Sequence, residues 1–190
     1  MRPLIALSFL LVGVAAVNAV EPSVTAKLIA KKDIYAWPVA QKPAEFEASL
    51  KDAQTAIKDM KDAVVPKAFL VDFVLQFTNP GKAAVEIYVG GDSNTLALEL
   101  TGPGVVTLSP PIATTLELRL PKAVTIEPGK SYEIPVGKLS DGFRNVSRLI
   151  FFTAPGEYSL TAAYQLVTPA GDRAAVLKAA AVKFTVEAPR

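Results

Sequence analysis

FFTAPGEYSLTAAYQL, residues 151–166, is the stretch on which the reading of this chain turns. Tyr158, Leu160, Ala162, Tyr164 and Leu166 alternate with Ser159, Thr161, Ala163 and Gln165, the period of two that marks a half-buried strand. Pro155 and Gly156 place a turn directly before it. In two-sheet β-domains a Tyr at the start of a late strand often returns its hydroxyl to the backbone at the corner between sheets. Tyr158 is therefore expected to be a structural corner residue, with a ligand-contacting Tyr as the alternative.

The same period extends outward in both directions. AFLVDFVLQFT, residues 68–78, puts Phe69, Val71, Phe73, Leu75 and Phe77 on one face and is the strongest candidate for a central core strand. Further strands are expected at VTAKLIA (24–30), around Val85–Val89, and at TLALELT (95–101), TTLELRL (114–120), AVTIE (123–127), SYEIPV (131–136), RLIFF (148–152) and the closing AAAVKFTVE (179–187). Asn79-Pro80-Gly81, Gly90 to Asn94, Gly102-Pro103-Gly104, Pro110-Pro111 and Pro128-Gly129 punctuate them, and Gly137 to Val146 reads as loop. Pro135 cannot donate to a ladder, so its strand should lie at an edge or carry a bulge. This spacing predicts a mainly β chain, an immunoglobulin-like antiparallel sandwich of about nine strands.

One segment departs from the pattern. In AEFEASLKDAQTAIKDMKDA the apolar residues Phe46, Leu50, Ala53, Ile57 and Met60 recur every three or four positions, which predicts an amphipathic helix over about 43–63, inserted after the first strand. Its stripe must be covered. Leu70 and Val74 on the outer face of the 68–78 strand are one candidate surface; closing one end of the sandwich beside Trp37 is another; a docking face for a partner is a third.

The first nineteen residues read as an export signal, with Arg2, an apolar run from Leu4 to Val17, and cleavage expected after Ala19. Removing 19 of 190 residues leaves 171 (20–190), expected to form a single domain. The formal charge falls from +2 to +1, because Arg2 is the only charged residue lost. No later run is long enough to cross a bilayer, so no transmembrane segment is expected in the exported chain. Lys and Arg are dispersed without interleaved aromatics, which argues against nucleic acid.

Composition narrows the chemistry. With no His and no Cys, the commonest general base, the usual zinc ligands, thiolate catalysis and histidine triads are all absent. What survives is a carboxylate pair, for which Asp72 is the notable acid, or Ser or Thr paired with Lys; no GxSxG or SxxK stands in the chain. Gly90-Gly91-Asp92-Ser93-Asn94 and Ser140-Asp141-Gly142 carry oxygen ligands but lack the acidic spacing of a calcium loop. Asn145-Val146-Ser147 matches a glycosylation sequon. No catalytic residue, metal or cofactor is expected.

LVDFVLQFTNPGKAAVEIYVGGDSNTLALELTGPG, VTIEPGKSYEIPV and FFTAPGEYSLTAAYQL together resemble uncharacterised exported bacterial immunoglobulin-like β-sandwich proteins. More distantly, over residues 69 to 166, the order is similar to that of the bacterial proteinase-inhibitor-like β-sandwich family: an Asn ending a strand, a Pro-Gly before a middle strand, a Gly-x-Tyr opening a late one. The resemblance implies a non-enzymatic binding or inhibitory module. Its contacts with an envelope or secreted protein, or with a polysaccharide, are expected at the loops Gly90 to Asn94, Gly102 to Gly104 and Gly137 to Asn145, through Asp92, Ser93, Asn94, Asp141, Phe143 and Arg144. A proteinase inhibitor is the alternative, and a hydrolase using a carboxylate pair the least favoured reading.

Overall fold

The computed structural model describes residues 24–91, 95–111 and 119–189. The expected export signal, most of the TTLELRL strand, and Asp92, Ser93 and Asn94 lie outside the described residues. Within them the chain is a β-sandwich with one helix. Its strands are β1 (Thr25–Ala30), β2 (Ile34–Tyr35), β3 (Leu70–Thr78), β4 (Val85–Val89), β5 (Leu96–Thr101), β6 (Val105–Leu108), β7 (Lys122–Ile126), β8 (Ser131–Lys138), β9 (Ser140–Asp141), β10 (Arg148–Phe152), β11 (Gly156–Val167) and β12 (Arg173–Val186). The helix α1 spans Pro43–Lys58 and follows β2.

One layer runs β1-β3-β8 and continues into β6-β10-β9; the other holds β2-β12-β11-β4-β7, with β5 also paired to β11. Every pairing is antiparallel except β2 with β12. Ring contacts tie the layers together: Phe73 meets Phe184 at 5.6 Å between centroids, and Phe77 meets Tyr164 at 5.1 Å. Phe69, Val71, Phe73, Leu75 and Phe77 are all buried, as their alternation predicts.

Three short strands raise the count above nine. β2 has two residues, β6 is confined between Gly104 and Pro110, and β9 lies inside the segment expected to be loop. That segment shows no period because the chain changes partners within it. Leu139 N–H donates to the Phe69 carbonyl (2.9 Å), while the Leu139 carbonyl accepts from Ile150 N–H (2.9 Å). β8 thus belongs to β3, and its continuation β9 to β10. Pro135 sits in β8 at the edge of its three-stranded group, where a missing donor costs no ladder bond.

The helix ends at Lys58, five residues before the expected limit. Its stripe leaves Leu70 73% exposed, whereas Val74 on the same strand is buried. Instead Phe46, Leu50 and Ala53 enter the main core. The Phe46 ring meets Trp37 (6.2 Å), Phe69 (5.6 Å) and Phe151 (6.0 Å), and Gln54 Nε2 donates to the Thr107 carbonyl on β6 (3.4 Å). Phe46, Leu50 and Ala53 are therefore core rather than a docking face, while Met60 at the end of the stripe is exposed. An aromatic at the centre of such a cluster is worth about 3–5 kcal/mol against alanine.

Tyr158 is the corner residue. Its hydroxyl lies within bonding reach of the Ala154 carbonyl (2.6 Å) and the Pro103 carbonyl, and its ring is 1% exposed, stacked on Phe184 at 5.6 Å. Gly102 is required beside it, because a Cβ there would stand 2.3 Å from the ring. Burial pushes the Tyr158 phenol above its ordinary value of 10.0, partly offset by the bond to Ala154.

Candidate functional site

β3 carries one extra residue between Leu70 and Phe73 relative to β8. The backbone freed by this bulge finds other partners: Asp72 N–H donates to the Tyr35 hydroxyl (2.8 Å), and the Asp72 carbonyl accepts from Lys31 N–H (2.9 Å). The Asp72 side chain itself is exposed. Just before the bulge, Leu70 faces Lys138 across the pair. With the Pro66–Ala68 approach on one side and the Val146–Leu149 segment on the other, it borders a cleft of about 610 Å³.

Pro38, Val39, Phe69, Leu70, Val146 and Leu149 make most of that cleft apolar, and Leu70 and Val146 are 73% and 51% exposed at its rim. Its charged residues are Lys67 and Lys138; no acid lines it. Neither lysine has an ion-pair partner among the described residues. Leu70 and Val146 thus form an exposed aliphatic patch edged by two lysines that lack an ion-pair partner among the described residues.

The expected loops do not converge. Gly90-Gly91 and Gly102-Gly104 lie at opposite ends of β5. Gly90 N–H donates to the Tyr164 hydroxyl (2.9 Å), whereas Gly102 packs on Tyr158. Phe143 and Arg144 are half-buried in a 3-10 turn, Phe143–Asn145, adjacent in sequence to the cleft residue Val146. The Arg144 guanidinium stands 5.2 Å from the Phe143 ring centre.

Asp141, expected as a contact residue, is 1% exposed and forms a structural clamp instead. Its Oδ1 accepts from Arg148 Nε (2.7 Å), and its Oδ2 accepts from Arg148 Nη2 and from Leu98 N–H (2.6 Å). Arg148 Nη2 also donates to the Leu98 carbonyl (2.6 Å). The ion pair thus occupies both backbone groups of Leu98 on β5, as a neighbouring strand would, and joins the two layers. The bond to Asp141 raises the Arg148 pKa above its ordinary value.

Val146, Lys67 and Lys138 were not singled out by the sequence, and Leu70 was expected only as a surface for the helix to cover. The available signal was the phase of β3, which points Leu70 away from the core with no helix to cover it. Among the described residues no group of three or more carboxylates is placed to hold a metal ion, and no helix is long and apolar enough to cross a membrane. No protein-family model matches the chain, and no curated protein matches it in sequence.

Proposed function

We propose that the protein is an exported, non-enzymatic binding module that engages a protein partner through the Leu70–Val146 cleft. The observation that carries this reading is the cleft itself: apolar walls, a rim of exposed aliphatic side chains, and two lysines without an ion-pair partner among the described residues. Such a site suits an apolar side chain flanked by carboxylates. A protein partner is favoured over a polysaccharide by the chemistry of the surface. The large apolar side chains exposed among the described residues are all aliphatic, whereas sugar rings are bound by stacking on aromatic faces.

The inhibitor reading is less well supported. A protease cleft takes an extended strand, and the half-buried turn beside the cleft is tightly wound, with Arg144 and Asn145 at φ of 51° and 58°. The test is affinity capture from the envelope and secreted fractions with the protein as exported, beside Leu70→Asp and the double variant Lys67→Glu, Lys138→Glu. The proposal expects a protein retained by wild type and lost from both variants. Retention of the same set by all three would refute it. Stoichiometric inhibition of a protease unaffected by Leu70→Asp would favour the inhibitor instead.

A further inference from the structure

Helix α1 ends on a residue that its geometry does not favour. Met60 N–H donates to the Ile57 carbonyl (3.1 Å) and Lys61 N–H to the Ala56 carbonyl (2.9 Å), the two closing bonds that force the residue between them into the left-handed region. Met60 takes a φ of 55°, where glycine is the usual occupant. Its side chain is 94% exposed, and Val64 is 91% exposed. Among the described residues no large apolar side chain is more exposed. In a lone molecule, neither the strain nor the exposure of Met60 contributes stability, which directs attention to contacts outside it.

The surroundings of this knob complement the cleft. A groove of about 380 Å³ beside the helix is lined by Ser49, Asp52, Asp62, Val64 and Pro66 among others, and its only charged residues are the two acids. The cleft's only charged residues are Lys67 and Lys138. Pro66 borders both concavities, so an acidic groove with an apolar knob adjoins a cationic apolar cleft. Asp52, Asp62, Lys67 and Lys138 have no ion-pair partners among the described residues, while Lys61 is held by Asp59 at 3.0 Å.

We infer that this face binds a second copy of the chain about a two-fold axis near Pro66, with Met60 and Val64 of each copy seated in the Leu70–Val146 cleft of the other. The inference rests on the binding role proposed for that cleft. A face that carries both a knob and an oppositely charged receptor side by side is self-complementary, since a two-fold rotation places each on its counterpart. Asp52 and Asp62 then lie opposite Lys67 and Lys138. The unbranched, polarizable Met side chain suits an irregular aliphatic cleft.

Sedimentation velocity on the protein as exported, up to about 100 µM, tests this. The expected result is a concentration-dependent dimer that weakens as salt is raised. Met60→Gly relieves the left-handed residue, so Tm should hold or rise by about 1–4 °C while the dimer dissociation constant rises at least about tenfold. Leu70→Asp should lose the dimer from the receptor side. Mixing Met60→Gly with Leu70→Asp should restore association through the one remaining knob-and-cleft contact, giving a mixed dimer tighter than either variant forms alone.

A wild type that stays monomeric throughout, or a Met60→Gly dimer of unchanged affinity, would overturn the inference. External capture separates that failure from failure of the binding role. Met60→Gly leaves the cleft open and should keep an outside partner, whereas Leu70→Asp should lose it. A monomeric wild type whose partner is lost on Leu70→Asp would defeat self-association alone.

Discussion

Arg148→Met should be among the most damaging single substitutions outside the aromatic core. The Asp141 side chain is 2% exposed, against 39% for Arg148. Removing the guanidinium strands a buried carboxylate with, among the described residues, only Leu98 N–H as partner and frees the Leu98 carbonyl. Breaking a buried pair in this way costs about 3–5 kcal/mol. Because Arg148 is partly solvated, the lower end applies, about 3 kcal/mol, or a fall in Tm of roughly 6–12 °C for a chain of this size. Asp141→Asn should cost about half as much, because it keeps an acceptor for Leu98 and leaves a cation that water can reach. Urea denaturation of the three proteins, read at equal m-values, measures both numbers. An Arg148→Met protein within about 1 kcal/mol of wild type, or an Asp141→Asn protein less stable than Arg148→Met, would refute the reasoning.

Tyr158→Phe keeps the ring stacked on Phe184 but removes the only hydrogen shared between the Ala154 and Pro103 carbonyls; a loss of about 1–3 kcal/mol is expected in the same assay. The Tyr158 and Tyr35 phenols are both raised above 10.0, chiefly by burial, so the unfolded chain ionises first. Their contribution is complete below about pH 10 and is lost as pH rises through the folded values; Tyr158→Phe should flatten that alkaline decline by up to about 1.4 kcal/mol per pH unit, and an unchanged slope would count against the burial argument. Asn79 is fully buried, donates to the Ala83 and Ile126 carbonyls at 2.8 Å each, and accepts from Gly81 N–H at 2.9 Å. Asn79→Asp cannot make the two donations and should cost at least about 3 kcal/mol by thermal melting, more than Asn79→Ser; equal costs would show that the donors are not what the site needs.

The fold was legible wherever a period of two survived long enough to be counted. The face from Phe69 to Phe77, the Tyr158 corner and the edge position of Pro135 follow from local rules that tertiary contacts reinforce. Residues 137–146 were not legible, because the strand there hands its hydrogen bonds from β3 to β10 within a few residues and its burial follows two partners in turn. The helix limit was misplaced for a related reason. Met60 continues the apolar spacing, but the chain has already turned into the left-handed region at that residue, and the side chain that would extend the stripe points to solvent. Asp141 looked like a loop acid since nothing in its neighbourhood names Arg148, which reaches it only across the β9–β10 pair, or Leu98, which arrives from the opposite layer. The cleft was the least visible of all. It is built from four separate stretches, and none of its residues is unusual until Leu70 is seen to face outward uncovered.

Hydrogen exchange on the protein with and without its captured partner tests the cleft most directly. The account predicts slowed exchange in residues 66–70 and 138–149, reversed by Leu70→Asp, with the outer face of the β5-β11-β12 layer unchanged. Protection confined to Gly102–Gly104 or to that outer face, with residues 66–70 exchanging as in the free protein, would contradict it.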